Sequence, residues 1–325
     1  MPKAKKTYKK KPQRDVYQEV TDKVVALLEN KLEKRWDKPW IAIGDGTPSH
    51  NMFTKHYYRG VNQFLLALGN FTGESEYKTN RYATFNQIKQ NGGTVTKGSK
   101  STPIIYYSPI RIDEHGKYYS EERYNGMSPA QRVAIGLRKI PMVKQFNVFN
   151  VEQTEGLAPE YYALPPQQAF TEMQQDDRAE DLLKLATDKM GVKLTIKESN
   201  RAYYSPSRDE IVLPLREQFK GVAGRFYNTA THELLHSTAK RLERPIGGSF
   251  GSPEYAKEEL IAELGAAFNC AALGLELDIT DNAAYLQSWL GVLKADKKAI
   301  VHCAAAAQRA SDFILEDTPY QLSPS

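Results

Sequence analysis

The stretch "THELLHSTAKRLERP", residues 231–245, sets His232 and His236 four positions apart with Glu233 directly after the first. On a helix that spacing puts both imidazoles on one face, so they can address a single ion. Glu233 then stands beside the ion rather than on it. Two imidazole ligands with a free carboxylate suit zinc-dependent hydrolysis, in which the carboxylate takes a proton from activated water. A catalytic zinc needs a third protein ligand and one open position. Position 242 is Leu, so the longer pattern with a third histidine is absent.

The third ligand is sought downstream, in "SPEYAKEELIAELGAAFNCAALG". Ser252 is placed to cap a helix, Pro253 to occupy its first position and Gly274 to end it. Within it Glu259 and Glu263 lie one turn apart among apolar residues, and carboxylates buried there need partners. Glu259 is expected as the third ligand and Glu263 as the carboxylate that orients a ligand imidazole. Glu258 is expected to face solvent. The rival reading makes all these glutamates a solvated face. His302 and Cys303, as neighbours, point to different sides of a helix and are assigned to the core. Tyr255 and Tyr285 are the candidates to stabilise an oxyanion. Zinc is the expected ion, and such a site also accepts Mn2+, Co2+ or Ni2+.

These helices need a body to hold them. A chain of 325 residues, 41% hydrophobic and 26% charged, has the composition of a globular protein and the length of two domains. It has no apolar run long enough to span a membrane and no recognisable export signal, so a cytoplasmic protein is expected. Cys270 and Cys303 form no disulfide framework and are expected as reduced, buried thiols. Residues 1–150 hold 26 Lys and Arg against 13 Asp and Glu, whereas the remainder holds 18 against 26. A chain divided this way carries a polyanion-binding module beside something else.

Residues 1–14, with seven positive charges and no negative one, are expected as a disordered basic arm. Val16, Val20, Val24, Leu27, Leu28 and Leu32 then mark an amphipathic helix. Val61, Phe64, Leu65 and Leu68 mark a second, with Gly69 placed to stop it. Alternating β-branched and aromatic residues follow, with a last strand at about 144–151. A proline-containing stretch, 154–170, is expected as a linker. Beyond it come a helix, two strands around the turn "SPSRD", then helices. The fold class is therefore α+β in two domains, 15–153 mixed α/β and 171–325 mostly helical with a small sheet.

The first half interleaves aromatic and basic residues: Lys55, Tyr57, Tyr58, Arg59, Arg81, Tyr82, Lys97 and Lys100, with Tyr106 and Tyr107 further on. Single-stranded nucleic acid is held by cations along its backbone and aromatic faces under its bases. The same residues also suit the core of a small sheet with solvated loops, and sequence does not choose between the two. No recognition-helix, zinc-finger or RNA-recognition signature supports base-specific readout.

The segments "PWIAIGDG", "YYRGVNQFLLAL", "TFNQIKQNGGTVTKGSKSTPIIYY" and "FNVFNVEQTEGL", followed by "DEIVLPLREQF", "THELLHSTAKRLERP" and "YAKEELIAELGAAF", resemble in that order the ArdC-type antirestriction proteins of conjugative plasmids. The resemblance covers nearly the whole chain after the basic arm. It implies a single-strand-binding domain, a zincin-like metallopeptidase domain and protection of incoming plasmid DNA from host restriction. It also implies metal on His232, His236 and a glutamate of "EELIAE", with Glu233 as the catalytic carboxylate; the choice of Glu259 rests on helix spacing. The expected partners are single-stranded DNA and, as substrate, a host restriction component or another DNA-bound protein. Two alternatives remain: a DNA-binding protein whose metal site is not catalytic, and a DNA-dependent protease of DNA-bound proteins in general.

Overall fold

The computed structural model describes residues 15–34, 47–72, 77–140, 142–164, 172–219, 223–249, 251–275 and 283–322. The expected basic arm lies outside them. Helix α1 (Val16–Lys34) starts where Asp15 accepts the Gln18 backbone N–H at 3.1 Å, and buries Val20, Val24 and Leu28. The short β1 (His50–Asn51) leads to α2 (Val61–Thr72), which continues past Gly69. The glycine expected to stop this helix is accommodated inside it, at the usual modest cost of a helical glycine.

Next come β2 (Arg81–Thr84), α3 (Phe85–Gln90), β3 (Thr94–Val95), β4 (Thr102–Tyr107), β5 (Ile110–Ile112), β6 (Tyr118–Tyr119), α4 (Glu121–Asn125), α5 (Pro129–Ala134), β7 (Arg138–Ile140) and β8 (Val143–Asn150). The main sheet has the order β1-β2-β8-β4, with β1 parallel to β2 and the other pairings antiparallel. Asn62 of α2 clamps the edge strand: its amide donates to the Ile105 carbonyl at 2.7 Å and its side-chain oxygen accepts the Ile105 N–H at 2.8 Å.

The described part of the linker expected at 154–170 is structured. Thr154–Glu155 forms β9 against β3, and α6 (Pro159–Tyr162) follows. Leu157, Tyr161 and Tyr162 pack with Met52, Ala83, Ile88 and Val151. This proline-containing stretch carries enough apolar surface to close that small core; residues 165–171 lie outside the described ones.

Helix α7 (Glu172–Met190) opens the second half. Strands β10 (Lys193–Ile196), β11 (Tyr203–Ser205) and β12 (Glu210–Leu213) form a sheet of order β10-β12-β11. Two strands are expected around the "SPSRD" turn; the turn joins β11 to β12, and a third strand, β10, pairs parallel with β12. Helices α8 (Ala223–Arg241), α9 (Pro253–Leu273), α10 (Ala283–Ala295) and α11 (Ala299–Leu315) complete the chain. Among the described residues no helix is long and apolar enough to cross a membrane.

The two halves share a core. Val20, Val24 and Leu28 of α1 and Val61, Phe64 and Leu65 of α2 belong to the same apolar cluster as α8 to α11. Polar contacts reinforce the seam: the Gly60 N–H donates to Gln308 at 2.8 Å, Arg59 pairs with Asp312, and Thr21 donates to the Lys297 carbonyl at 2.8 Å. Helices assigned by sequence to the first domain therefore share a core with the bundle that includes α8, the helix that carries His232 and His236.

Candidate metal centre and its surroundings

Helix α8 is buried along most of its length through Phe226, Ala230, Leu234, Leu235 and Ala239. Helix α9 lies against it. Ser252 caps α9 by accepting the Tyr255 N–H at 3.2 Å, and Gly274, at φ 70°, ends it as the Leu275 N–H returns to the Cys270 carbonyl at 2.8 Å. Close approach depends on Gly265. A Cβ there would lie 2.5 Å from Leu235 Cδ1 and 2.8 Å from Cγ, too close without movement of the residue beside His236.

The expected residues meet at this seam. His232 Nε2 and His236 Nε2 are 3.1 Å apart, and each lies 3.5 Å from a different oxygen of Glu259. A tetrahedral ion at ordinary zinc–nitrogen distances would hold its ligands about 3.3 Å apart, so the triangle fits such an ion. The other imidazole nitrogens are occupied: His232 Nδ1 meets Glu263 at 3.0 Å, and His236 Nδ1 meets Glu258 at 3.2 Å. A carboxylate on each Nδ1 fixes the tautomer that leaves Nε2 free as a ligand.

Four carboxylates, Glu233, Glu258, Glu259 and Glu263, thus surround two imidazoles, and Glu233 is 8% exposed. The electrostatics calls for a cation. Burial disfavours a charged His232, yet hydrogen bonds to Glu259 and Glu263 hold its pKa well above the ordinary value. Burial likewise opposes the charge on Glu259, but His232, His236 and a hydrogen bond from Tyr255 keep its pKa below the usual range.

Glu258 departs from expectation. It is 7% exposed, and Arg244 donates to both its oxygens, at 2.7 and 3.2 Å. Arg244 also donates to the Leu235 carbonyl at 3.1 Å and to Thr238 at 2.7 Å, so it closes the end of α8 and neutralises the carboxylate that holds His236. The available signal was spacing: Tyr255, Glu258, Glu259 and Glu263 follow the three-and-four step of one α9 stripe, which the charged run Lys257-Glu258-Glu259 disguised as a solvent-facing segment. His302 is exposed rather than part of the core, while Cys303 and Cys270 are buried free thiols with pKa pushed up to about 12, by burial in both cases. The Tyr285 side chain lies outside the described residues.

The basic half distributes its expected contacts unevenly. Tyr82, expected on nucleic acid, is 1% exposed and packs with Leu66, Ile104 and Val148; burial raises its pKa. Its strand faces α2, so the core reading holds for this residue. Tyr58 packs against the same cluster. Arg81 donates to the carbonyls of Tyr161 and Ala163 at 3.0 and 2.7 Å, and Arg59 is paired with Asp312. Tyr57, Tyr58 and Arg59 line a cavity of about 430 Å3 between the two halves, opposite Phe268 and Arg309. Lys55, Lys97 and Lys100 are exposed.

A helix pair presenting two histidines and a glutamate inward, beside a small sheet, is the arrangement of a zincin-like metallopeptidase domain, and residues 177–307 match the family so described. Residues 14–149 match the N-terminal domain of anti-restriction factor ArdC. The metal-free crystal structure of antirestriction ArdC from the R388 plasmid is 31% identical with a TM-score of 0.69, covering 95% of this chain and 100% of that one. Its Mn(II)-bound form is 31% identical with a TM-score of 0.66, covering 93% and 98%. The chain belongs to the ArdC family of antirestriction proteins. It is also 33% identical over 314 residues to the DNA primase TraC of Escherichia coli, spanning 94% of this chain but only 20% of that protein. The uncharacterized protein y4eC of Sinorhizobium fredii is 29% identical over 308 residues, 92% of this chain and 91% of its own length.

Proposed function

We propose that the chain binds single-stranded DNA through its basic half and acts as a metallopeptidase through the α8–α9 centre, protecting incoming plasmid DNA from restriction in the cytoplasm. The convergence of two Nε2 atoms and one carboxylate, with both Nδ1 atoms held by other carboxylates, carries the reading. His232, His236 and Glu259 would hold the ion, zinc or another divalent metal such as Mn2+, Co2+ or Ni2+. When bound, such an ion supplies Lewis acidity that makes water nucleophilic near neutral pH and polarises a peptide carbonyl. Glu233, buried and free of the ligand set, accepts the proton from the attacking water and hands it to the leaving amine. Glu263 and Glu258 hold the two imidazoles in the ligating tautomer. The peptide cleaved belongs to a restriction component or another DNA-bound protein.

The test is plasmid transfer into a restricting host with wild type, Glu233→Ala and His232→Ala, each checked for metal and single-stranded DNA binding. Glu233→Ala is expected to bind both ligands normally and fail to protect. Full protection by that variant would reject hydrolysis and leave binding as the means of protection.

A further inference from the structure

Strands β4 and β8 do not end at the main sheet. Tyr106 pairs with Lys144 and Tyr107 with Val143; the Ser108 N–H then donates to the Met142 carbonyl at 2.8 Å, and the same register continues through Ile110 with Ile140 to Ile112 with Arg138. The two chain segments form one ribbon that runs out from the sheet to a tip containing β6, α4 and α5.

Alternation places Ile104, Tyr106, Phe146 and Lys144 on one face. At its inner end Ile104 is covered by Leu66 and Tyr58; beyond that the face is open, with Tyr106 59% and Phe146 43% exposed. Their rings meet edge to face with centroids 6.3 Å apart. By register Ile112 and Arg138 belong to the same face, and Tyr118, paired with Ile112, is 71% exposed at the tip. Tyr106 to Ile112 spans about 20 Å at ~3.3 Å per residue, long enough to carry a short run of single strand.

The opposite face of the tip is already occupied. Arg111, Arg132 and Lys139 surround the Tyr124 ring, at 5.4, 4.1 and 4.5 Å from its centroid. Two of the tip's acids are also engaged: Asp113 accepts the His115 and Lys117 N–H groups and the Tyr119 hydroxyl, and Glu121 pairs with Arg111. The open face is therefore left with aromatic rings and the cations Lys144 and Arg138, the combination that holds a single strand.

We infer that the open face of this ribbon is the seat of single-stranded DNA, with bases stacked on Tyr106 and Phe146 and phosphates on Lys144 and Arg138. The inference rests on the proposed DNA binding of the basic half and names where it occurs. Fluorescence anisotropy of labelled oligo-dT on the full chain compares wild type with Tyr106→Ala/Phe146→Ala and Lys144→Ala, with melting temperatures as the folding control. The double variant is expected to melt like wild type and to lose at least tenfold in affinity, and Lys144→Ala to flatten the salt dependence by about 0.7 in log–log slope. In Tyr106→Trp, oligo-dT is expected to alter the indole emission in a way that saturates with binding. Wild-type binding with unchanged affinity in both variants and a silent Trp at position 106 would overturn the ribbon assignment and leave DNA binding intact; failure of wild type to bind would overturn both.

Discussion

Arg244→Met isolates the part of the centre least visible in sequence. The Arg244 and Glu258 side chains are 7% and 9% exposed, with contacts of 2.7 and 3.2 Å, and the same carboxylate reaches His236 Nδ1 at 3.2 Å. Removing the cation strands a buried carboxylate, which costs about 3–5 kcal/mol, a large share of a typical stability of about 5–15 kcal/mol. Metal affinity should fall about 10–100-fold, because the carboxylate that orients His236 loses its anchor. Arg244→Met/Glu258→Met separates the two effects. Replacing both charges by apolar side chains should restore most of the stability, while His236 Nδ1 has no carboxylate and affinity stays low. Urea denaturation in chelator gives the first quantity and calorimetric titration with Zn2+ the second. A loss below about 1 kcal/mol in the single variant, against the expectation for a stranded buried charge, would refute the energetic argument. Wild-type affinity in the double variant would refute the orienting one.

Asp209, in the β11–β12 turn, is held by Arg241 at 2.8 and 2.9 Å and by the Tyr204 hydroxyl at 2.7 Å, and the Arg241 hydrogen bonds foremost depress its pKa to about 2. The stabilisation is present above the unfolded-state value near 4 and is lost as pH falls from there through about 2; solvent screening reduces it to about 1 kcal/mol. Asp209→Asn, which tolerates the φ of 48°, should lower stability at pH 7 and flatten the acid limb of a pH–stability curve; an unchanged limb would reject the assignment. Gly265→Ala should cost about 1–3 kcal/mol by forcing Leu235 aside and should weaken metal binding with it. Equal stability and affinity in that variant would show that the seam yields without disturbing His236.

The legible parts of this protein were those set by local rules. The spacing of His232 and His236, the cap at Ser252, the stop at Gly274 and the step from Glu259 to Glu263 all follow from helix geometry, and the structure places them as expected. What escaped was decided between elements. Glu258 reads as a surface residue until α8 and the returning Arg244 cover it. Tyr82 belongs to the same aromatic-rich strands as Tyr106, and only the position of α2 buries one and leaves the other open. The early end of the linker escaped for the same reason: three prolines and no periodicity suggest an unstructured stretch, yet Leu157, Tyr161 and Tyr162 close a core that the sequence does not show as incomplete.

The shared core changes what a two-part protein of this kind can do. Helix α1 packs on α10, α2 packs on α11, and Gly60, just ahead of α2, donates to Gln308 of α11, so the basic half is fastened to the metal-site half by buried apolar surface and not by chain connection alone. A flexible tether would let a peptidase search a wide shell around its anchor and would raise the effective concentration of many substrates at once. A shared core instead sets the distance between the ribbon and the α8–α9 seam. On the proposed function, selectivity then follows from geometry: a protein is cut when its exposed segment lies at that distance from the strand it occupies.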